Sequence, residues 1–196
     1  MNRVEATLLP IDTPVLPRGR KELRIVTPGQ LRMLAQSMKS SDYWLVVCMN
    51  RDDDNVLPCY PIATQVQVVD FFVQEDGTLT VVVEGQQKVR ISDVWAEDDG
   101  VWMGLVLPIP NWPSRPLEET YAMVGEALEQ LYHDEPKLAQ LYPDPDLADA
   151  CWVSQRWLEV LPLMEKDKQM LIDQPDCRKT MRYVLQLIQA KENSSN

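Results

Sequence analysis

Histidine and glycine are scarce in this chain of 196 residues, which has one histidine and seven glycines. Its four cysteines form no CxxC pair. The patterns of a phosphate-binding loop, a dinucleotide-binding turn, a serine-hydrolase elbow and a zinc-protease helix are all absent. The single His133 lies just before Pro136, at the end of a predicted helix, where a basic group interacts favourably with the last carbonyls. Without a second histidine or a CxxC pair, no catalytic residue, cofactor or metal site is predicted.

The spacing and surroundings of the cysteines indicate buried, reduced thiols. Cys48, Cys59, Cys151 and Cys177 form no motif, and most of them lie among apolar neighbours. The first residues have no apolar signal core, and no uncharged stretch reaches the length of a membrane span. We therefore expect a cytoplasmic protein with no membrane contact.

Basic residues are also in short supply, with 19 Lys and Arg against 30 Asp and Glu and a net charge of −11. Phosphate binding depends on a basic surface, so nucleic acid is not expected as a main partner. The acidic runs at 52–54 and 97–99 lie between predicted strands. They are expected to be solvated hairpin tips rather than cation sites.

Composition divides the chain into two parts, 1–115 and 116–196. Four of the 15 prolines fall between Pro108 and Pro116, a stretch that neither a helix nor a central strand tolerates. This stiff connector predicts a β-rich lobe with one helix, followed by an α-helical lobe. The second part is the more acidic, with eight Lys and Arg against 15 Asp and Glu.

Short strands joined by tight turns are predicted for the first part. The runs 43–49, 61–73, 78–84, 87–95 and 101–107 are expected to form a sequential antiparallel sheet. Turns are indicated at Asp76-Gly77 and at 98–100, and Gly85 is expected to separate two strands. One helix should begin after Thr27, with Pro28 in its first position. Its predicted apolar face consists of Leu31, Leu34, Ala35 and Met38.

Three or four helices are predicted for the second part, from apolar stripes at helical spacing. Helices of this length are marginal alone and need tertiary packing. The first helix is therefore expected to pack partly on the β lobe, through a face containing Tyr121, Val124, Leu128 and Tyr132. A groove between the lobes should then be apolar and rimmed by carboxylates, favouring extended apolar segments with basic flanks.

Two segments together resemble a known family. The first is Val15-Leu16-Pro17-Arg18-Gly19 with Leu23-Arg24-Ile25, then Pro28 and Leu31-Arg32-Met33-Leu34. The second runs from Ile62 through Asp76-Gly77-Thr78-Leu79 and Val81-Val82-Val83-Glu84-Gly85 to Lys88-Val89-Arg90-Ile91. Both are similar to the N-terminal, substrate-binding domain of Lon proteases, which also occurs as a stand-alone bacterial protein. The stretch from Leu161-Pro162 to Arg178 resembles the helical end of that domain. Where the family often has Phe-Glu-Pro-Arg-Tyr, this chain has Val26-Thr27-Pro28-Gly29-Gln30, and Lys88 replaces a usual arginine.

The resemblance implies an α+β fold in which a PUA-like twisted antiparallel β-barrel lobe precedes a C-terminal helical bundle lobe. It also implies a non-enzymatic module that binds unfolded or extended polypeptide segments, with a protease or chaperone as a further candidate partner. ATPase and protease domains and the Ser-Lys dyad of Lon are not expected here.

Four residues are the candidates for peptide binding: Arg24, Arg32, Trp112 and Tyr121. Arg24 and Arg32 lie near the helix start that carries the resemblance, and Trp112 lies among the connector prolines. Trp95 and Trp102 are expected to pack in the core. Two alternatives remain open: a hydrolase or transferase with a site of dispersed carboxylates and Cys59, and an RNA-binding PUA-like protein.

Overall fold

A computed structural model describes residues 3–40, 42–51 and 58–194. Two compact units divide the chain, Met1–Asn111 and Trp112–Asn196. The division falls inside the proline-rich segment; that the two parts, 1–115 and 116–196, are separate domains stays a prediction. The first unit contains, in chain order, β1 Val4–Ile11, β2 Arg20–Ile25, α1 Pro28–Lys39, β3 Trp44–Met49, β4 Ile62–Val73, β5 Leu79–Ala96 and β6 Trp102–Pro108. The second contains a 3-10 turn at Glu119–Tyr121 and α2 Ala122–Asp134, α3 Pro136–Leu141, α4 Ala150–Val160, α5 Glu165–Ile172 and α6 Arg178–Ser194.

The six strands form one sheet in the order β2-β5-β4-β3-β1-β6, which confirms the predicted α+β class. Strand β6 pairs with both β1 and β5, whereas β2 pairs with β5 alone, and the sheet is not a closed barrel. The predicted sequential antiparallel pairing is confirmed for β3, β4, β5 and β6, each of which pairs antiparallel with the next. The sheet as a whole is mixed, because β1 pairs in parallel with β3. Strands β1 and β2 were also missing from the sequence-based expectation.

Both faces of the sheet are covered by apolar clusters. In β3, Leu45 and Val47 belong to one cluster, and Val46 and Cys48 to the other. Successive side chains of a strand point to opposite faces, so a strand buried on both faces is apolar throughout. This explains the uninterrupted apolar run that predicts β3 as a buried strand.

The longest strand, β5, continues through the position where a break was predicted. Gly85 lies within it rather than between two strands. Its amide donates to the carbonyl of Gly19 at 2.8 Å, and its carbonyl accepts from Arg18 at 2.7 Å. A Cβ at this position would lie 2.1 Å from the Leu16 carbonyl oxygen. The glycine is thus required by the close passage of another backbone segment, not by a turn.

Helix α1 begins as the sequence predicts. Thr27 accepts from the backbone amide of Gln30, and the Gln30 side chain accepts from the Thr27 amide, which completes a capping box. The predicted apolar face is only partly correct: Leu34 is buried, but Met33 is the other large buried side chain, while Leu31, Ala35 and Met38 face solvent.

The described residues of the second unit form five α-helices, more than the three or four predicted, because two of them are short. Helices α2, α4 and α6 contact one another. The Tyr132 ring stacks on Tyr142 with 5.5 Å between centroids, and Trp152 meets both rings edge-on. Arg156 is 1% exposed, lies over Tyr142 and Trp152 and pairs with Glu159 at 2.8 Å. This aromatic cluster gives the helical unit a core of its own.

His133 lies in the last turn of α2, as predicted. The acidic run 52–54, predicted to be a solvated hairpin tip, falls outside the described residues.

No helix within the described ranges combines the length and apolar content needed to cross a membrane.

Candidate functional site

Large apolar side chains are exposed at the outer end of the β4–β5 hairpin. The chain has two phenylalanines, and both lie here: Phe71 is 59% exposed and Phe72 is 38% exposed. Val69 and Val73 are 43% and 66% exposed. We refer to Val69, Phe71, Phe72 and Val73 as the hairpin surface. Single exposed apolar residues are ordinary, but four large ones within five residues of one strand make this hairpin end a candidate interaction site.

The register of the hairpin presents these side chains on both faces. Phe71 is opposite Val81, and Val73 is opposite Leu79, whereas Phe72 is opposite Thr80. Directly opposed residues of an antiparallel pair point to the same face. Phe71 and Val73 therefore extend the face that holds the buried Val81, and Phe72 lies on the reverse face.

One edge of β4 lacks a strand along the hairpin surface. Strand β3 pairs with β4 at Thr64, Gln65 and Val66, and among the described residues no strand continues this pairing over 67–73. The Asp70 carboxylate accepts from the Phe71 backbone amide at 2.8 Å. An uncovered edge of this kind is a template for another extended chain, and a charged residue on it limits uncontrolled pairing.

A cleft opens where β3 stops covering β4. It has a volume of about 670 Å³ and lies between the end of α1 and β4. Its lining includes Met38, Tyr43 and Val68, together with Gln65 and Gln67. Because Gln67 and Val68 begin the uncovered stretch of β4, the cleft continues directly into the hairpin surface. An extended segment on the edge would therefore find a concave region beside it.

The predicted residue Arg24 stands beside this hairpin. Its guanidinium donates to the Asp76 carboxylate at 2.5 Å and to the Thr78 hydroxyl at 3.3 Å. The backbone amide and hydroxyl of Thr78, with a smaller effect of Arg24, hold the pKa of Asp76 below its usual value. Gly77 in the same turn has φ +80°, as the turn prediction requires. Arg24 thus braces the turn that ends β4.

The predicted residue Arg32 is engaged elsewhere. Its guanidinium donates to Asp99 at 2.7 Å and to Glu97, so α1 is tied to the turn between β5 and β6. Arg32 lowers the pKa of Asp99. The acidic run 97–99, predicted to be a solvated hairpin tip, thus forms ion pairs with Arg32. The structure gives Arg24 and Arg32 different partners and does not bring them into one cluster.

The other two predicted residues belong to the helical unit. Trp112 is 5% exposed, and its indole donates to the Gln174 carbonyl at 2.6 Å, so it packs in the core and offers little surface to a ligand. Tyr121 is half-buried and lines a cavity of about 490 Å³ with Arg115, Arg178 and Arg182. Trp95 is 38% exposed, contrary to its predicted core position, whereas Trp102 packs against a core cluster.

The surroundings of Cys59 do not favour the alternative of a hydrolase or transferase that uses this thiol. Cys59 is 1% exposed and lies beside Cys48 in a core cluster. Hydrogen bonding between the two thiols raises the pKa of Cys48 and lowers that of Cys59, but a substrate has no access to this pair. All four cysteines are buried and reduced, as predicted. Within residues 3–40, 42–51 and 58–194, no group of acidic, histidine and cysteine side chains suits a metal ion.

Most of the chain matches the model of one protein family. The family model of the ATP-dependent protease La (Lon) substrate-binding domain matches residues 5–190. The chain belongs to this family. The resemblance drawn from the two sequence segments is therefore confirmed.

Relatives within the Lon substrate-binding domain family are distant. The Lon protease of Escherichia coli strain K12 is 23% identical over 199 residues, which cover 96% of this chain and 25% of that protein. The same identity and coverage of this chain hold for Lon protease of Shigella dysenteriae serotype 1. The chain thus spans about a quarter of the length of the curated relatives it matches.

Solved structures show the same fold. A Lon N-terminal domain protein from Xanthomonas campestris has a TM-score of 0.72 and 22% identity, covering 93% of this chain and 97% of that one. The N-terminal domain of Mycobacterium avium complex Lon protease has a TM-score of 0.63 and 13% identity, covering 93% and 96%. At this level of identity the comparison establishes the fold alone.

The hairpin surface was missed by sequence reasoning. The run Val68-Val69-Asp70-Phe71-Phe72-Val73 was correctly placed in a strand, but apolar content in a strand normally indicates burial. A local signal existed, because both phenylalanines of the chain stand side by side just before the turn at Asp76-Gly77. Strand ends next to a turn are where a sheet leaves its core, so large side chains there are candidates for exposed contacts.

Proposed function

We propose that this member of the Lon substrate-binding domain family binds unfolded or extended polypeptide segments at the hairpin surface. The observation that carries the proposal is the exposure of both phenylalanines beside an uncovered edge of β4. An incoming segment would pair its backbone with the free edge over 67–73 and place apolar side chains against Phe71 and Val73. Backbone pairing is independent of side-chain identity, which suits a binder of many different segments.

Binding without reaction is the second part of the proposal. The buried position of Cys59 and the lack of a metal-type cluster among the described residues support a module that holds polypeptides and leaves their bonds intact. The net charge of −11 favours polypeptide over nucleic acid as the ligand. A protease or chaperone that receives the bound segment remains a candidate partner, and a cytoplasmic location remains the expectation.

The proposal is tested by binding of a permanently unfolded protein, reduced and carboxymethylated α-lactalbumin, measured by fluorescence anisotropy. The double variant Phe71→Ser/Val73→Ser should weaken binding by about tenfold or more, because each large apolar contact removed from water contributes about 1.5–3 kcal/mol. Its melting temperature should be nearly unchanged, since both side chains are exposed in the free protein.

Met164→Ser is the matched control, because Met164 is 70% exposed and lies in the helical unit. It removes a comparable apolar side chain without touching the hairpin surface, and its affinity should equal that of the native chain. Equal affinities for the double variant and the native chain would place the binding surface elsewhere.

A further inference from the structure

The helical unit contains a cavity with an unusual charge for so acidic a protein. It has a volume of about 490 Å³ and lies among residues that precede α2, the start of α4 and the start of α6. This unit has four arginines: Arg156 is buried in the aromatic cluster, and the other three, Arg115, Arg178 and Arg182, all line the cavity. One carboxylate, that of Glu118, accompanies them in the lining. The lining itself therefore has three guanidinium groups against one carboxylate, and the carboxylates of Asp149 and Asp176 lie near its Cys177.

The three arginines that line the cavity form few ion pairs with carboxylates of the protein. Arg178 has a loose contact with Asp176, with 3.5 Å between Nε and Oδ2, and both side chains are partly exposed. Within the described part of the chain, the guanidinium groups of Arg115 and Arg182 have no carboxylate at ion-pair distance. The planar guanidinium group matches a carboxylate in bidentate geometry, so three arginines on one concave surface suit a ligand that supplies negative charge.

Apolar groups complete the cavity. Tyr121, Met181 and Pro116 contribute to its lining, and the thiol of Cys177 is buried, which raises the pKa of that cysteine. A small inorganic anion would satisfy the guanidinium groups but would leave this apolar part in contact with water. A carboxylate attached to a chain that also carries apolar side chains matches both parts.

We propose that the cavity binds an acidic polypeptide segment, with Arg115 and Arg182 holding Asp or Glu side chains and Tyr121 and Met181 contacting an adjacent apolar residue. This inference deepens the proposed function, on which it rests, by assigning one class of ligand to the helical unit. The cavity lies within the helical unit and is distinct from the groove expected between the lobes, which stays a prediction.

The test uses the full chain and two fluorescent peptides of equal length. One is composed of Leu, Phe, Ser and Glu, and in the other every Glu is replaced by Gln. The native chain should bind the Glu peptide about tenfold more tightly, since charge-assisted hydrogen bonds are the stronger class. Arg182→Gln and Arg115→Gln should each abolish most of that preference while leaving affinity for the Gln peptide unchanged.

Lys179→Gln is the matched control, because Lys179 is an exposed neighbour on α6 that does not line the cavity and carries the same charge. Preservation of the preference in this variant supports the cavity, whereas an equal loss in Lys179→Gln and Arg182→Gln would reduce the effect to overall charge. Melting temperatures establish that each variant is folded.

Other outcomes separate this inference from the proposed function. Equal binding of the Glu and Gln peptides, with the hairpin variants still impaired, overturns the acidic specificity alone. Failure of both peptides and of the unfolded protein to bind overturns the proposed function as well. Saturable binding of inorganic phosphate that requires Arg182, without any preference for the Glu peptide, would identify a small-anion site and overturn the assignment to polypeptides.

Discussion

Two glycines illustrate how single residues determine the geometry of the candidate site. Gly77 adopts φ +80° in the turn that ends β4, and no atom would lie within 4 Å of an added Cβ. Gly85 has no such backbone requirement, but an added Cβ would collide with the carbonyl of Leu16. The first glycine is needed for its conformational freedom and the second for its lack of volume.

These different causes predict different losses of stability. Gly77→Ala should lower the free energy of unfolding by about 1 kcal/mol, the usual penalty for a Cβ in the left-handed region. Gly85→Ala should lower it by about 3 kcal/mol or more, because one of two backbone segments must move. Urea unfolding of both variants measures the difference. Equal losses would contradict the close passage of 16–19 beside β5.

At the same scale, the predictive value of the sequence depended on whether a residue acts locally. The Thr27 cap, the Gly77 turn and the position of His133 follow from near neighbours along the chain, and the structure confirms them. Trp112 and Trp95 could not be assigned in this way, because burial depends on what the folded chain brings against them. The carboxylate partners of Arg32 are 65 and 67 residues away along the chain, which no local pattern reveals.

At the scale of elements, the ion pair between Arg32 of α1 and Asp99 of the β5–β6 turn stabilises the fold in a pH-dependent way. Arg32 lowers the pKa of Asp99 in the folded state. A carboxyl group with a depressed pKa adds stability above its unfolded pKa, near 4, and loses this contribution as the pH falls through the lower folded value. The contribution is therefore fully present at neutral pH.

We accordingly expect Arg32→Gln to lower the melting temperature at neutral pH, with a difference from the native chain that shrinks below about pH 4. Arg24→Gln is the informative comparison, because the pKa of Asp76 is lowered mainly by Thr78 and only weakly by Arg24. That variant should show a smaller pH-dependent difference. An Arg32→Gln difference that is constant from neutral to acidic pH would show that the pair contributes through packing instead.

Elements were predicted well where hydrophobic periodicity is strong, and poorly where topology decides. Helix α1 and the central strands emerge from the sequence pattern. The parallel pairing of β1 with β3 and the continuity of β5 do not, because a register depends on contacts between distant segments. The same limit explains why α1 buries Met33 while exposing Leu31 and Met38.

At the scale of the whole molecule, the two proposals assign to each unit a surface for a different polypeptide feature. The hairpin surface in the first unit is apolar and borders a free strand edge, and the cavity in the second is lined by arginines. With both surfaces, one chain would bind polypeptide segments that carry apolar as well as acidic residues. The predicted packing of the first helix of the second part on the β lobe, and the groove between them, stay predictions.

The central claim is that an extended segment pairs with the uncovered edge of β4, and amide hydrogen exchange of the full chain tests it directly. The experiment compares the free protein with the protein saturated by an uncharged peptide of Ser, Thr, Leu and Val, which avoids the arginine-lined cavity. We expect exchange to slow at those amides of residues 67–73 that point away from β5, and to remain unchanged in α2, α4 and α6. Slowed exchange confined to the helices, with the β4 edge unaffected at saturation, would contradict the account.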